Sequence, residues 1–504
     1  MSTSNQKERT RFAPSPTGMP HIGSIWIALL QWLHVKSTRG ELIVRIEDTD
    51  RNRFVPESEK AIFEALNWYG ITHDEGPDIG GAFGPYRQSE RLAIYKPYIE
   101  ELKEKGTLYP CFCTAERLQE MREGQQRDKK PTGYDRYCRS LPLAEAKKKM
   151  NTEPYVLRLK MPTEGESTFA DKIRGEISFS NALIDDQVLV KSDGWPTYHL
   201  AVVIDDHLME ITTVIRGEEW ISSTPKHLAL YKAFDWQPPV FAHVPLILGT
   251  DRSKLSKRHG DLSALSFRDR GFLPEAMINF LALLGWHPKG EKEMLTRQQI
   301  SEEFRLEDVH AAGAIFNEEK LRWMNGQYIK ALPPQRFIQL ALPFVLQSMV
   351  AKGNREMVLP VSGKKISNGL LEKSLLAVQN RLQQLDETGA AITTYLEPKD
   401  DYAGELLIAK KSTAVNTIET LKMLEEYMQT IAESDYTEEM LEKILRQFIT
   451  DKKLGVGETL WPLRVALSGE AVSPSPFSLA SVVGKQETIN RITLASQKLS
   501  SQHE

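Results

Sequence analysis

Two short stretches of this chain carry residue types that suit the binding of phosphate. The first, "RFAPSPTGMPHIG" at 11–23, excludes regular structure through its prolines and then enters an apolar helix close to His21. A helix amino terminus offers free N–H groups and a partial positive charge, and a histidine there can donate to a phosphate oxygen. The second, "DRSKLSKRHGD" at 251–261, crowds cations and serines into one loop. Taken alone, the first could be a surface turn and the second a solvated charge run; together they predict a nucleotide site.

The elements around the first stretch predict what positions it. "GELIVRIEDTD" (40–50) has an apolar run after a glycine and is typical of a strand, and a shorter strand begins in "TRFAPS". Between them we expect a mostly buried helix over 24–37. A second helix over 55–71 is expected to begin near Pro56 and end near Gly70. The order strand, helix, strand, helix indicates a doubly wound parallel sheet of Rossmann type, which binds nucleotides where strands turn into helices.

Length and composition exclude several classes of protein. The 504 residues exceed the roughly 250–300 that one hydrophobic core supports, so several domains are expected. Three cysteines, an odd number, argue against a disulfide framework. The amino-terminal residues show no secretory signal, and no apolar run approaches the roughly 20 residues that cross a bilayer. We expect a cytoplasmic enzyme without a membrane partner. The net charge is −4, yet 101–160 is locally basic, with 14 Lys and Arg against 9 Asp and Glu.

The alternation of strands and helices breaks near residue 110. Residues 111–192 contain the cysteines and then "YVLRLKMP", "EISFS" and "DQVLVKSD", which indicate strands of an inserted α+β domain. Alternation returns in 193–255, and from about 260 the chain is mostly helical. Weak apolar periodicity over 350–410 favours a loop or linker there. We therefore predict an α/β fold in which a Rossmann-type doubly wound parallel sheet carries an inserted α+β domain, followed by an all-helical carboxyl-terminal half.

Several motifs carry a resemblance to a known family. "PHIG" (20–23) resembles the HIGH motif and "KLSKR" (254–258) the KMSKS motif of class I aminoacyl-tRNA synthetases. "RFAPSPTGMPHIG", "RIEDTD", "GPYRQSER", "VIRGEEW" and "KLRWMNGQYI" are similar to bacterial-type glutamyl-tRNA synthetases, over most of the chain except about 340–430. Ser24 replaces the last histidine of HIGH, while Leu255 and Arg258 replace the Met and the final Ser of KMSKS. These variants are familiar in the family.

The resemblance implies that ATP, with Mg²⁺, activates L-glutamate as glutamyl-adenylate, from which the amino acid passes to tRNA-Glu. Neither step needs a protein nucleophile, so the residues would act by positioning and by stabilising charge. By resemblance, the catalytic residues are His21, Gly23, Lys254 and Lys257. ATP would be bound by Pro20, His21, Gly23, Lys254, Ser256, Lys257 and Arg258. Glutamate would be bound by Arg11, Ala13, Ser15, Glu47, Tyr198, Arg216 and Trp220. Arginines suit its carboxylates, and a glutamate side chain suits its ammonium group.

The three cysteines lie close together in the sequence, as Cys111, Cys113 and Cys138. This spacing resembles the zinc-binding insertion of some glutamyl-tRNA synthetases, in which a histidine two residues after the third cysteine is often the fourth ligand. That position is Ser140 here, so Tyr134 is the remaining candidate for the fourth ligand. The alternatives are one structural Zn²⁺ on these four residues, or reduced thiols in a site that has lost its metal.

The resemblance also implies a division into domains. The expected domains are a split Rossmann catalytic domain (1–110 and 193–255), an inserted acceptor-stem-binding domain (111–192), a helical stem-contact domain (256–335) and a helical anticodon-binding region (336–504). We expect a monomer. The alternative functions are an enzyme that also charges tRNA-Gln, a glutaminyl-tRNA synthetase, the short paralogue that glutamylates queuosine in tRNA, a nucleotidyltransferase without a tRNA partner, and a non-catalytic tRNA-binding relative.

Overall fold

The structure is a computed structural model, and it describes residues 7–50, 55–256, 258, 260–349 and 365–502. The chain forms two compact units. One consists of Met1–Arg268 with Pro274–Leu321, and the other of Asp269–Leu273 with Arg322–Glu504. Lys257, which is predicted to be catalytic, lies outside the described residues.

The first unit contains all the strands of the described chain. They are β1 Arg9–Phe12, β2 Glu41–Val44, β3 Leu108–Cys111, β4 Val156–Leu159, β5 Glu166–Asp171, β6 Gly175–Ser180, β7 Val188–Val190, β8 Thr213–Gly217, β9 Val240–Val244, β10 Ile247–Leu248 and β11 Ala314–Ile315. Its helices are α1 Ile22–Thr38, α2 Pro56–Tyr69, α3 Leu92–Glu104, α4 Ala115–Arg127, α5 Leu143–Met150, α6 Tyr198–Leu208, α7 Thr224–Ala233, α8 Ala264–Asp269, α9 Pro274–Gly285 and α10 Arg297–Glu303.

The sheets of this unit combine parallel and antiparallel pairing. β1 lies parallel to β2, and β8 lies parallel to β9 with Arg216 opposite His243. The backbone N–H of Thr212 donates to the carbonyl of Arg9 at 2.9 Å, which joins the start of β8 to β1. Helix α1 covers β1, β2 and β8 with buried apolar residues, whereas the apolar residues of α6 pack against β7, α3 and α7. The α/β architecture with parallel strands, predicted from the alternation of elements, is confirmed.

The segment 111–192 contributes to two sheets. β3, β4 and β7 form a three-stranded antiparallel sheet. β5 and β6 form a hairpin, and β5 pairs in parallel with β9 at Asp171 and Phe241, which gives the strand order β6-β5-β9-β8. The three strands predicted in this segment are present as β4, β6 and β7. The hairpin extends the sheet of β8 and β9, so part of the predicted insertion belongs to the same sheet as Arg216.

The first two helices follow from their sequences. α1 is buried on most sides because apolar residues occur around its whole circumference. α2 begins with Pro56, whose fixed φ suits the first helical turn, and ends before Gly70. Gly70 has φ +63°, the left-handed conformation that glycine adopts without a steric penalty. Both helices are present where the sequence predicts them.

The second unit is helical throughout its described residues. Helix α11, Glu318–Ala331, begins in the first unit and continues into the second. The remaining helices are α12 Pro334–Met349, α13 Asn368–Val378, α14 Thr388–Leu396, α15 Ala414–Thr430, α16 Glu438–Asp451, α17 Val456–Ser468, α18 Pro476–Val483 and α19 Lys485–Ser500. The predicted all-helical carboxyl-terminal half is confirmed. No helix in the described ranges is both long enough and apolar enough to cross a bilayer.

The described residues test only part of one prediction for this unit. The sequence predicts that 350–410 holds a loop or linker; residues 350–364 lie outside the described ranges, and 365–410 contain helices α13 and α14. Leu371, Leu375 and Val378 are buried at spacings of four and three residues, as in any amphipathic helix. Their signal was obscured by the Gly, Lys and Asp residues around them.

Candidate active site

His21 immediately precedes α1 and caps its amino end. Its Nδ1 accepts a hydrogen bond from the backbone N–H of Gly23 at 3.0 Å. The neutral imidazole therefore carries its proton on Nε2, which can donate to a ligand. Burial of the ring, followed by the positive charge of Lys254, lowers the pKa of His21. The site presents a neutral histidine donor at a helix amino terminus.

The segment that contains "KLSKR" returns to the same helix end. Leu255 is 6% exposed, and its N–H donates to the carbonyl of Ile247 at 2.9 Å, so an apolar side chain anchors the loop. A few residues later, the N–H of Ala264 donates to the carbonyl of Pro20 at 2.8 Å. The structure therefore brings together the two stretches in which the sequence predicts phosphate-binding residues.

The polar residues of this loop differ from one another in exposure and in their partners. Lys254 is exposed and close enough to His21 to affect its pKa. Arg258 is also exposed, and its guanidinium lies 3.5 Å from the carboxylate of Asp251 in the same loop. Ser256 is half-buried. Of the three described cations in this loop, Arg252, Lys254 and Arg258, Lys254 is the one whose charge lowers the pKa of His21.

Arg11 projects from β1 and is 3% exposed. Its Nε donates to Oδ1 of Asp206 at 3.0 Å, and Nη1 of Arg45 lies 2.8 Å from the same oxygen. Burial opposes ionisation of Asp206, but the two guanidinium groups outweigh it and lower the pKa of this carboxyl. Among the described residues, the Arg11 guanidinium has no other hydrogen-bond partner. Both of its Nη groups remain for a ligand, in the geometry that binds a carboxylate bidentately.

Glu47 lies just after β2 and is 8% exposed. Its Oε1 accepts a hydrogen bond from Nη2 of Arg45 at 3.1 Å. Burial raises the pKa of Glu47 to about 7, against the opposing effect of Arg45. The N–H of Glu47 donates to the carbonyl of Pro14 at 3.0 Å, which brings the loop with Ala13 and Ser15 beside it. An ammonium group bound here would compensate a carboxylate that burial otherwise disfavours.

Arg216, in β8, is 6% exposed and is held by neutral groups. Its Nε donates to His243 Nε2 at 3.0 Å, its Nη1 to His227 Nδ1 at 3.2 Å, and its Nη2 to the Thr224 hydroxyl at 2.9 Å. Arg216 forms no ion pair with any carboxylate that the structure describes. Burial lowers the pKa of this guanidinium. A buried cation without a carboxylate partner favours an anionic ligand.

Tyr198 and Trp220 form an aromatic pair next to Arg216. Their ring centroids lie 4.5 Å apart, and both residues are half-buried. The Trp220 carbonyl accepts from Nη2 of Arg216 at 3.4 Å, and burial raises the pKa of Tyr198. These contacts place the last two predicted glutamate-binding residues against the second arginine.

Several buried polar and charged residues that support the site are not among those predicted from the sequence. They are Arg45, Asp171, Asp206, His227 and His243. A usable signal exists for two of them, because "VRIE" places an arginine inside an apolar strand and "VVIDDHL" places two acids inside an apolar helix. Buried charges are rare unless they are paired, so such positions predict an internal ion pair.

The cysteines form a separate cluster at the end of β3. The Sγ atoms of Cys111, Cys113 and Cys138 lie within 4.8 Å of one another. The Tyr134 hydroxyl lies 3.3 Å from Sγ of Cys111 and 3.6 Å from Sγ of Cys113. The guanidinium of Arg158 covers the Tyr134 ring at 3.7 Å from its centroid. All four predicted ligands therefore converge on one point.

The geometry of this cluster fits a tetrahedral zinc ion. Zn–S bonds of about 2.3 Å imply S–S separations of about 3.8 Å, and Cys113 and Cys138 lie 3.6 Å apart. Contact with Cys138, assisted by Tyr134, lowers the pKa of Cys111 to about 4 despite burial. A thiolate is the form of cysteine that binds metal. Tyr134 also accepts from the N–H of Cys138 at 3.0 Å, but burial outweighs this contact and raises the pKa of the phenol, so a bound cation would be needed to favour its negative form.

Comparisons with known proteins agree with this site. Residues 7–323 match the family described as tRNA synthetases class I (E and Q), catalytic domain, and residues 336–496 match the anticodon binding domain family. The chain is 43% identical over 492 residues to the glutamate–tRNA ligase of Dehalococcoides mccartyi strain CBDB1, covering 98% of each protein. It is 41% identical over 496 residues to that of Clostridium botulinum strain Hall, covering 98% of this chain and 99% of the relative.

A solved structure gives the same result. A glutamate tRNA ligase from Elizabethkingia meningosepticum, crystallised in complex with its amino acid, is 36% identical with a TM-score of 0.86. The match covers 98% of this chain and all of that one. These comparisons agree with the motifs and with the two buried arginines, Arg11 and Arg216. The chain belongs to the glutamate–tRNA ligase family of class I aminoacyl-tRNA synthetases.

Proposed function

We propose that this protein attaches L-glutamate to tRNA-Glu in an ATP-dependent reaction through glutamyl-adenylate, with release of AMP and pyrophosphate. The observation that carries this proposal is the combination of two buried arginines with the buried carboxylate of Glu47. Arg11 offers two unoccupied Nη groups within the described residues, and Arg216 has no carboxylate partner there. Two cations and one acid complement the charges of free glutamate.

The arrangement favours glutamate over glutamine. Arg11 binds the side-chain carboxylate bidentately, Arg216 supplies the second positive charge, and Glu47 accepts from the ammonium. Asp206 already balances part of the charge of Arg11, but a neutral amide would leave the two Nη groups without an anionic acceptor for a bidentate contact, which is costly where water is excluded. Tyr198 and Trp220 complete this pocket, together with the loop that holds Ala13 and Ser15.

On the phosphate side, the protein acts by orientation and charge. The glutamate α-carboxylate attacks the α-phosphate, and His21 Nε2–H donates to the phosphoryl oxygen as negative charge develops. Lys254, with Lys257, neutralises the outer phosphates of ATP, while Ser256, Arg258, Pro20 and Gly23 shape the nucleotide site. Mg²⁺ is held mainly by the phosphates and water. The terminal ribose hydroxyl of the tRNA then attacks the adenylate carbonyl, and AMP leaves.

The cysteine cluster holds one structural Zn²⁺ in this proposal. Cys111, Cys113, Cys138 and Tyr134 are its ligands, and the ion would tie β3 to the residues after α4. A structural zinc contributes folding energy rather than chemistry. The convergence of three sulfur atoms and one phenol oxygen supports this ion over three reduced thiols, although hydrogen bonds between the thiols and the phenol would also satisfy these groups.

The division of tRNA contacts is also part of the proposal. The basic segment 111–192 binds the acceptor stem, 256–335 contacts the stem, and the helical 336–504 reads the anticodon, in line with the anticodon-binding family match over 336–496. The Rossmann-type residues 1–110 and 193–255 carry the chemistry together with Ser256, Lys257 and Arg258, which follow directly. We propose that the protein is a cytoplasmic monomer, as its resemblance to glutamyl-tRNA synthetases implies.

The test is aminoacylation with radiolabelled glutamate and ATP, in which purified tRNA-Glu and tRNA-Gln are offered separately. Charging of tRNA-Glu is expected. Additional charging of tRNA-Gln would identify an enzyme that serves both tRNAs and needs an amidotransferase downstream. Charging of neither, with an active control synthetase in the same buffer, would overturn the proposed activity and favour a non-catalytic tRNA-binding relative.

A further inference from the structure

Arg216 belongs to a chain of hydrogen bonds that continues beyond the glutamate pocket. Asp171 Oδ2 lies 2.6 Å from His243 Nδ1, and His243 Nε2 lies 3.0 Å from Arg216 Nε. On the other side, His227 Nδ1 lies 3.2 Å from Arg216 Nη1, and His227 Nε2 lies 3.1 Å from His199 Nδ1. The side chains of Asp171 and His243 are fully buried.

The guanidinium fixes the protonation of both neighbouring rings. Because arginine can only donate hydrogen bonds, His243 Nε2 and His227 Nδ1 must act as acceptors and carry no proton. The proton of His243 is then on Nδ1, facing Asp171, and that of His227 is on Nε2. Both rings are neutral, in agreement with burial, which lowers the pKa of each histidine.

Asp171 is itself oriented by the backbone. Its Oδ1 accepts from the N–H groups of Ile173 and Arg174, each at 3.0 Å. Its Oδ2 is directed to His243, where it faces Nδ1 of the imidazole and also accepts from the backbone N–H of the same residue at 3.1 Å. Asp171 is also the residue at which β5 pairs with β9, the strand that contains the histidine. The end of the hairpin β5–β6 thus supplies the carboxylate.

We propose that Asp171 is a positioning residue for glutamate binding, which holds His243 with its proton on Nδ1 and thereby fixes the guanidinium of Arg216. His227 acts in the same way on Nη1. A carboxylate that contacted Arg216 directly would neutralise it. Asp171 instead acts through the imidazole of His243, so it orients Arg216 and leaves the positive charge of Arg216 available for the substrate carboxylate. The inference rests on the proposed function, in which Arg216 binds glutamate.

The first test is Asp171→Asn. Its single amide oxygen stays on the backbone N–H groups of Ile173 and Arg174, so the amide NH₂ faces both the ring and the backbone N–H of His243. The amide NH₂ then donates to Nδ1 of His243, and the ring proton moves to Nε2. There the Nε2–H group faces the Nε–H group of Arg216, so two donors oppose each other, as in a catalytic triad whose carboxylate is replaced by an amide. We expect the KM for glutamate to rise about tenfold or more and the KM for ATP to change less than twofold.

A second background distinguishes positioning from a general structural role. In His243→Gln, the amide oxygen occupies the place of Nε2 and accepts from Arg216 without any tautomer to be set. Asp171→Asn is expected to raise the KM for glutamate less than twofold in that background. Glu8→Gln is the matched control, because it alters another histidine–carboxylate pair, Glu8 with His34 at 3.1 Å, and Glu8 also contacts Thr213 at the start of β8 but forms no hydrogen bond with Arg216.

Three results would overturn the proposal. These are an unchanged KM for glutamate in Asp171→Asn, an equal rise in both KM values, and the same penalty in both His243 backgrounds. Imidazole ¹⁵N shifts give an independent readout that needs no tRNA, with His243 protonated on Nδ1 in the wild type and on Nε2 in the variant. If the wild type charges no tRNA, the proposed function fails while these shifts still decide the role of Asp171.

Discussion

The Nδ1 atom of His21 accepts the backbone N–H of Gly23 at 3.0 Å, so the two nitrogens of one ring serve two purposes. Nδ1 caps the amino end of α1, and Nε2–H remains available to donate to the substrate. A Cβ atom on Gly23 would lie 3.2 Å from Nδ1, which is tighter than nearly all such contacts. Glycine at this position therefore leaves the ring in the place that the cap requires.

We expect His21→Asn to separate these two purposes. Asparagine is a favoured amino-terminal cap, so it replaces Nδ1 as the acceptor but offers no donor at Nε2. Loss of one donor to a developing negative charge costs about 10²–10³ in kcat. The thermal midpoint should stay near that of the wild type, whereas His21→Ala should also lose about 1 kcal/mol of stability. Near-normal kcat for aminoacylation by the Asn variant would contradict the assigned role.

Arg11→Lys should raise the KM for glutamate about 10–100-fold, because an ammonium group keeps the charge but loses the planar fork. Steady-state aminoacylation with varied glutamate measures the change. Arg9→Lys is the matched control, since Arg9 lies on the same strand, is buried, and already pairs with Glu41 and Glu75. Equal effects of the two substitutions would mean that Arg11 acts on the fold and not on the substrate.

Glutamate binding should depend on pH through Glu47. Its pKa, raised to about 7 by burial, means that the ionised form needed by the ammonium is lost as pH falls through 7. The value of kcat/KM for glutamate should therefore fall about tenfold per pH unit below 7 and level off above it. Glu47→Gln should remove this inflection and lower kcat/KM at pH 8 about 10–100-fold. An inflection that persists in the variant would assign the pKa to another group.

Purified protein should contain close to one zinc ion per chain, measured by elemental analysis after gentle purification. Tyr134→Phe removes one ligand and should weaken zinc retention against a chelator, while a chelator should lower the thermal midpoint of the wild type. Tyr137→Phe is the control, because Tyr137 is 63% exposed and its recorded ring contact is with Arg117. If the purified wild-type protein contains no zinc and a chelator does not change its thermal midpoint, the alternative of three reduced thiols without a metal would be favoured.

The elements that the sequence predicts well are those with local signals. Pro56 and Gly70 mark the ends of α2, and the apolar run after Gly40 marks β2. The pairing of β5 with β9 is different, because it joins Asp171 to Phe241 across a long stretch of chain. No local pattern specifies such a partner, since the register of a sheet is set when its strands meet.

In the candidate site, too, the residues within short motifs can be predicted from the sequence, and the contacts between distant residues cannot. The residue types in "PHIG" and "KLSKR" predict a phosphate site because their chemistry is visible in a single short stretch. The partners of the buried charges are not visible in this way. That Arg11 pairs with Asp206, or that Arg216 lies between two imidazoles, depends on which faces of β1, α6 and β8 come together. Such facts follow from packing, not from composition.

The pairing of Arg11 with Asp206 has a consequence for synthesis on the ribosome. The two residues are 195 positions apart, so the arginine is made well before its counter-ion. At about 5–20 residues per second the interval is roughly 10–40 s. During that time β1 cannot bury its guanidinium, because an unpaired charge in an apolar interior is strongly unfavourable. The Arg11 side chain is therefore expected to stay in contact with water during synthesis. The amino-acid pocket can form only after α6, which carries Asp206, has been translated.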